Sequence, residues 1–259
     1  MLDKAKICIS FDDGRKDNIA IAKEILKPQH IPATFFISSG LIDGTLNGEL
    51  VGNQVYGMNW DDIAWLRNNN FEIATHSANH TNQIEDIIRG YRDVLNVLEM
   101  PCHSKLGWSS PRNEYNNDLI NTEFFHQNIS YVAVGPRFEY RFTDKLLRMI
   151  SRKTGCDFLK AKTYKYSLMD IGGDKLLYRI PVENTTNLSL LKCIVDDAIK
   201  KRKAAIFNFH SISINSNLHW TYPQKDFSAF CNFLVKKEKH NYLNIVTVEE
   251  LNSIINKDE

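Results

Sequence analysis

Short apolar runs alternate with amphipathic stretches along most of the chain. Lys6-Ile7-Cys8-Ile9 alternates and carries β-branched residues, which predicts a buried strand. Residues 33–37, 71–75, 105–109, 131–134, 176–182, 204–209 and 243–246 read as further strands. Between them, residues 18–26, 60–69, 84–98, 116–125, 188–201 and 227–237 space their apolar positions at three and four. That is the period of a helix with one buried face. The clearest stripe is Ile84, Ile87, Ile88, Tyr91, Val94, Leu95 and Leu98. Asn68-Asn69-Asn70 predicts a left-handed helix end, and Thr247-Val248-Glu249-Glu250 predicts a capping box opening a last helix. Two stretches have no clear period. Residues 39–58 are glycine-rich and read as a loop near a site. Residues 136–174 are basic and mixed, with room for a short helix around 145–150. The alternation of strand and helix argues for an α/β fold, a parallel sheet closed or nearly closed into a barrel. With no repeat and no linker, residues 1–259 read as a single domain, with insertions near 39–58 and 136–174.

In such folds sites form at the carboxyl ends of the strands. The first strand runs into Ser10-Phe11-Asp12-Asp13-Gly14, two adjacent carboxylates followed by a residue that permits a sharp exit. Neighbouring side chains on an extended segment diverge, so one carboxylate can hold a cation while the other faces water. Alone, the motif reads first as a strand followed by an Asp-Asp-Gly turn. The strand at 71–75 runs into His76-Ser77-Ala78-Asn79-His80. Histidines four apart share a face if the segment turns helically, and imidazole is the commonest metal ligand. Two nitrogens and one carboxylate oxygen leave a coordination position open, the mark of a catalytic metal site.

Ser-Phe-Asp-Asp-Gly followed by His-Ser-x-x-His after a strand resembles the polysaccharide deacetylase family (NodB-type, carbohydrate esterase family 4). Pro32-Ala33-Thr34-Phe35-Phe36-Ile37, Met58-Asn59-Trp60-Asp61 and Ile206-Phe207-Asn208-Phe209-His210 are similar to further family segments. The resemblance is strong over residues 6–80 and near 204–212, and weak over 137–185. It implies a distorted (β/α) barrel of about seven parallel strands. It also implies a metal-dependent hydrolase that removes an N-acetyl group from an amino sugar.

The same resemblance implies that Asp13, His76 and His80 hold one divalent ion. Their donor set suits Zn2+, with Co2+, Ni2+ or Mn2+ as alternatives. It assigns Asp12 as the base and His210 as the acid. Read without it, His210 is a hydrogen-bonded core histidine. Phe207, Phe209 and Ile212 could line a pocket for the acyl methyl group. Ser77 is either a hydroxyl orienting a ligand or a helix N-cap. The family's Arg-x-Pro-Tyr stands here as Ser109-Ser110-Pro111-Arg112. The Arg112 backbone N–H can still serve a developing oxyanion. The arginine that orients the base is absent at 109, and Arg112, Arg137 or Arg179 could replace it. Glu183 could partner His210 or be a solvated loop residue. Trp108, Trp220 and Tyr222 are candidates for stacking on sugar faces.

Charged residues are 24% of the chain and the net charge is +1, so no global field selects nucleic acid. No stretch approaches the ~20 apolar residues that span a bilayer. Residues 1–5 enter the first strand without a signal-peptide apolar region. Five scattered cysteines fit a reducing compartment. The expectation is a cytoplasmic enzyme acting on an N-acetylated sugar or glycan, a nucleotide- or lipid-linked precursor of a surface polysaccharide. Two alternatives stand beside it. One is hydrolysis of a non-sugar amide or cyclic imide on the same fold. The other is a carbohydrate-binding protein that has lost catalysis.

Overall fold

Seven parallel strands close into a barrel in a computed structural model that describes residues 3–46, 49–50, 53–139, 141–170, 176–214 and 218–256. They are β1 (Ala5–Phe11), β2 (Thr34–Ile37), β3 (Glu72–Thr75), β4 (Leu106–Ser109), β5 (Ile129–Val134), β6 (Leu176–Pro181) and β7 (Ala204–Phe209). β7 pairs back onto β1 from Lys6 to Phe11 and completes the ring. The other edge of β1 is divided. Strand β8 (Leu243–Ile245) takes Ala5 to Ile7, and β2 takes only Ser10 and Phe11. β8 therefore fills the wedge that opens between β1 and β2 at the amino end.

Strand alternation sorts side chains into two cores. Ile7, Ile9 and Phe11 of β1 face outward. They join a core with Ile63 and Leu66 of helix Trp60–Asn68, Ile87 and Val94 of helix Ile84–Val97, and Phe227 and Phe230 of helix Gln224–Lys239. Cys8, Phe36, Ala74, Tyr131, Ala133, Leu177 and Ile206 face the lumen. Val248, Leu251 and Ile255 of the last helix plug it from below. Higher in the lumen the inward positions turn polar: Ser10, Ser109, Arg179 and Asn208 are all buried.

The capping box at Thr247 and Glu250 is present, and Asn70 is left-handed (φ 64°) after helix Trp60–Asn68. Other elements differ in extent. The helix expected at 18–26 starts at Lys16 and loosens into a π-helical segment, Ala22–Leu26, just before Pro28. Proline lacks the N–H that would continue the α-helical ladder. The stretch at 116–125 is two short helices, Asn117–Ile120 and Glu123–Asn128. The short helix at 145–150 is the middle of a longer one, Phe142–Thr154, ended by left-handed Gly155. Residues 39–58 contain the short helix Ser39–Ile42 and an antiparallel pair, Glu49–Leu50 with Asn53–Gln54. Residues 47–48, 51–52, 140 and 171–175 of the two aperiodic stretches lie outside the described residues.

The amino end of the barrel is tied by Glu72. Its buried carboxylate accepts from the Tyr131 hydroxyl, from Thr34 Oγ1 at 2.6 Å and from the Glu249 N–H at 3.0 Å. Tyr131 reaches it by crossing the face of Gly107, where a Cβ would stand 2.0 Å from the Tyr131 Cζ. Gly107→Ala is expected to lower stability by about 1–3 kcal/mol through overpacking. Urea unfolding should show it as a lower midpoint with an unchanged slope.

Candidate active site

The carboxyl end of β1 delivers two carboxylates into one cleft because the backbone turns there. Asp12 continues the strand, donating its N–H to the Phe209 carbonyl at 3.0 Å. Asp13 is left-handed, φ 78°. That turn cancels the divergence an extended segment would impose. Asp12 Oδ2 and Asp13 Oδ1 lie 3.9 and 3.6 Å from the same His76 Nε2.

His76 follows β3 directly. Its Nδ1 lies 2.8 Å from the Ser109 carbonyl oxygen, which can only accept. Nδ1 therefore carries the proton, and Nε2 turns its lone pair toward Asp13. His80 reaches the same point by a loop, not by a helix. Ser77 (φ 65°) and His80 (φ 57°) are both left-handed, and the next helix begins only at Ile84. The helical reading of the histidine pair is corrected accordingly. The loop is clamped by buried Asp86, which accepts from the Asn79 N–H at 2.9 Å and from Thr81 Oγ1 at 2.9 Å. Gly90 lets it settle onto the helix, since a Cβ there would stand 2.4 Å from the Ser77 carbonyl carbon. Ser77 does not cap the next helix, whose N-cap is Gln83, and its hydroxyl accepts from Trp108 Nε1 at 3.2 Å instead of orienting a histidine.

Asp13 Oδ1, His76 Nε2 and His80 Nε2 all lie within 4.8 Å of one another. His80 Nε2 is 3.7 Å from Asp13 Oδ1. That oxygen is buried and has no hydrogen-bond partner. Its sister, Oδ2, accepts from Arg15 Nε at 2.8 Å, while Arg15 Nη1 donates to Ser211 Oγ at 3.0 Å. Burial pushes the Asp13 carboxyl up. Arg15 and the three imidazoles outweigh that and hold it well below the usual carboxylate range. A buried, orphaned anionic oxygen facing two imidazole nitrogens fits a divalent cation.

Asp12 is held from the opposite wall. Arg179 Nη1 donates to its Oδ1 at 2.6 Å and Asn208 Nδ2 to its Oδ2 at 2.9 Å; Ser10 Oγ donates in turn to Asn208 Oδ1 at 3.1 Å. Of the three arginines considered, Arg179 is the one that contacts Asp12. Ser109, at the family's arginine position, contributes a hydroxyl 3.4 Å from the same Oδ1. Burial raises the Asp12 carboxyl, but Arg179, His76 and His210 bring it down to about 2.

His210, after β7, points Nε2 at Asp12 Oδ2 from 3.9 Å. Its backbone is fixed by Asn18 Nδ2, which donates to the His210 carbonyl at 2.7 Å. Burial lowers its basicity, which Asp13 and Asp12 partly restore. Its Nδ1 is buried without a partner. Glu183 does not serve it: Glu183 lies 3.5 Å from His219, and Trp220 sits between His219 and His210, 4.5 and 4.8 Å from their rings. Arg112 is exposed on the rim, in a turn joined to the His80 loop by Asn82 Nδ2 donating to the Pro111 carbonyl at 3.2 Å. Its positive charge helps hold His80 down to about 4, after burial and His76.

Several expectations fail on strand phase. Phe207, Phe209 and Ile212 pack in the outer core, so they do not line an acyl pocket. Trp108 and Tyr222 are fully buried and unavailable for stacking on a sugar. Arg15 and Asn208 were missed. The signal for Asn208, as for Arg179, was a polar residue at an inward position of an otherwise apolar strand.

Residues 2–125 match the sequence model of the family described as Polysaccharide deacetylase. Comparison with curated proteins returns no match. Among solved structures, the chain is similar to the Xyl-CE4 domain of a multidomain xylanase from the hindgut metagenome of Trinervitermes trinervoides. The identity is 14%, over 96% of this chain and 90% of that one, with a TM-score of 0.50. A family 4 acetyl xylan esterase from Clostridium thermocellum, in complex with a cobalt ion, is 14% identical over 96% and 91%, TM-score 0.52. A CE4 family pseudoenzyme from Bacillus anthracis is 12% identical over 97% and 66%, TM-score 0.52. At these identities the shared property is the fold. The match over residues 2–125 takes in the Asp12-Asp13 and His76–His80 motifs and makes this part of the chain similar to the polysaccharide deacetylase family.

Proposed function

We propose that the site hydrolyses an N-acetyl group from an amino sugar, with Asp13, His76 and His80 holding a divalent ion, Zn2+ by its donor set. One observation carries this reading: the buried Asp13 Oδ1 has no hydrogen bond and faces His76 Nε2 and His80 Nε2 at 3.6 and 3.7 Å. An ion held there supplies Lewis acidity to the amide carbonyl and to water. Asp12 takes the proton from the attacking water. With its carboxyl at about 2 it is ionised at neutral pH, and Arg179 fixes Oδ1 so that Oδ2 faces the cleft. His210 delivers a proton from Nε2 to the leaving nitrogen. The Arg112 N–H, second in the 3-10 turn Pro111–Asn113, has no acceptor within that turn and is available to the oxyanion. The five free cysteines support a cytoplasmic setting and hence a nucleotide- or lipid-linked sugar as substrate.

Metal analysis of the purified protein is expected to find one divalent ion per chain, with acetate released from N-acetylated sugars. His80→Ala should lose the ion. Asp12→Asn should keep it and lose turnover by at least about 100-fold. Ring opening of a cyclic imide without acetate release would move the site to the alternative substrate class. Full activity in Asp12→Asn would remove the base from this scheme.

Arg179→Met should cost about 3–5 kcal/mol at pH 7, because it strands a buried carboxylate. The pH dependence has a definite sign. Asp12 is depressed to about 2 from 3.8, so its contribution is full above pH 4 and fades as pH falls toward 2. Urea titrations of both proteins from pH 7 to pH 3 should show the gap narrowing in acid.

A further inference from the structure

The helix Phe142–Thr154 and the start of the next, Asp157–Lys162, carry an apolar face that no element of the described chain covers. Phe142 is 80% exposed, Met149 58% and Phe158 58%, with Leu146 and Ile150 also exposed. Phe142, Leu146, Met149 and Lys153 fall at successive helical turns, so one stripe faces solvent. Cations interleave with it. Lys145, Arg148, Arg152 and Lys153 surround Met149 in a shallow groove. Residues 137–165 hold nine Lys or Arg against three Asp or Glu, in a chain whose net charge is only +1. The three acids are engaged locally. Asp144 is buried against Lys165 and Tyr166, Glu139 pairs with Arg141 at 2.7 Å, and Asp157 accepts from Asn187 and Ser189.

We propose that this face docks the protein onto an anionic lipid bilayer. Headgroup phosphates meet Lys145, Arg152 and Lys153, and Phe142, Leu146 and Met149 enter the headgroup–acyl boundary. A bilayer satisfies both halves of the pattern at once. A second copy of the chain does not, because a two-fold interface would set these cations against themselves. The segment leaves the barrel from the carboxyl end of β5, the end that bears the site. Docking therefore goes beyond the reaction and stands whether or not the site hydrolyses an amide.

The full chain is sedimented with vesicles of phosphatidylcholine alone and of phosphatidylcholine with about one-third phosphatidylglycerol. Binding is expected to the anionic vesicles, at least about tenfold tighter than to the neutral ones. The variant Lys145→Glu/Arg152→Glu/Lys153→Glu should lose at least about tenfold of that affinity, and Phe142→Ser/Met149→Ser a comparable amount. Circular dichroism and metal content should match the parent in both. Equal binding to both vesicles, or variants that bind as the parent does, would overturn the proposal. So would a dimer in solution that Phe142→Ser/Met149→Ser dissociates, which would assign the face to a second copy.

Discussion

Two adjacent carboxylates lie buried at the top of this barrel, and the surrounding structure compensates them. Each has its own guanidinium, Arg179 for Asp12 and Arg15 for Asp13. In a low-dielectric setting neither anion would stay ionised beside the other without such a partner. The partners also divide the work. Arg15 occupies Asp13 Oδ2 and leaves Oδ1 toward the imidazoles. Arg179 occupies Asp12 Oδ1 and leaves Oδ2 between His76 and His210. Since Arg179 comes from β6 and Asp12 from β1, the pairing exists only once the ring is closed.

The lumen supplies the medium in which this works. Its lower half is filled by Phe36, Ala74, Leu177 and Ile206, its upper half by Ser10, Ser109, Arg179 and Asn208. The apolar floor keeps water from screening the ion pair from below, and the polar upper layer gives both Asp12 oxygens fixed donors, Arg179 and Asn208. The division between inward and outward positions is strict. It is why Asn208 supports the base while its neighbours Phe207 and Phe209 build the outer core.

Much of this was legible in the chain because strand period and motif spacing are local. The strands, the Thr247–Glu250 cap and the candidate ligands Asp13, His76 and His80 could all be read that way. What escaped depends on pairing between distant strands. That Arg179, and not Arg112 or Arg137, meets Asp12 follows from which strand stands opposite β1. The engagement of Ser77 by Trp108, and of Glu183 by His219, likewise needs three-dimensional register. The loop at 76–80 misled for another reason: spacing of four suits a helix, but Asp86 and Gly90 stabilise an irregular turn instead.

The divided edge of β1 carries a consequence for how the protein comes into being. Ser10 finds Asn208 across 198 positions, and Ala5 waits longer still for Leu243. At roughly 5–20 residues per second of synthesis, about 10–40 seconds separate the first strand from the one that seals it. Throughout that interval an apolar ribbon with open hydrogen-bonding groups hangs from the ribosome, a surface for chaperones or for misjoining with a neighbour nascent chain.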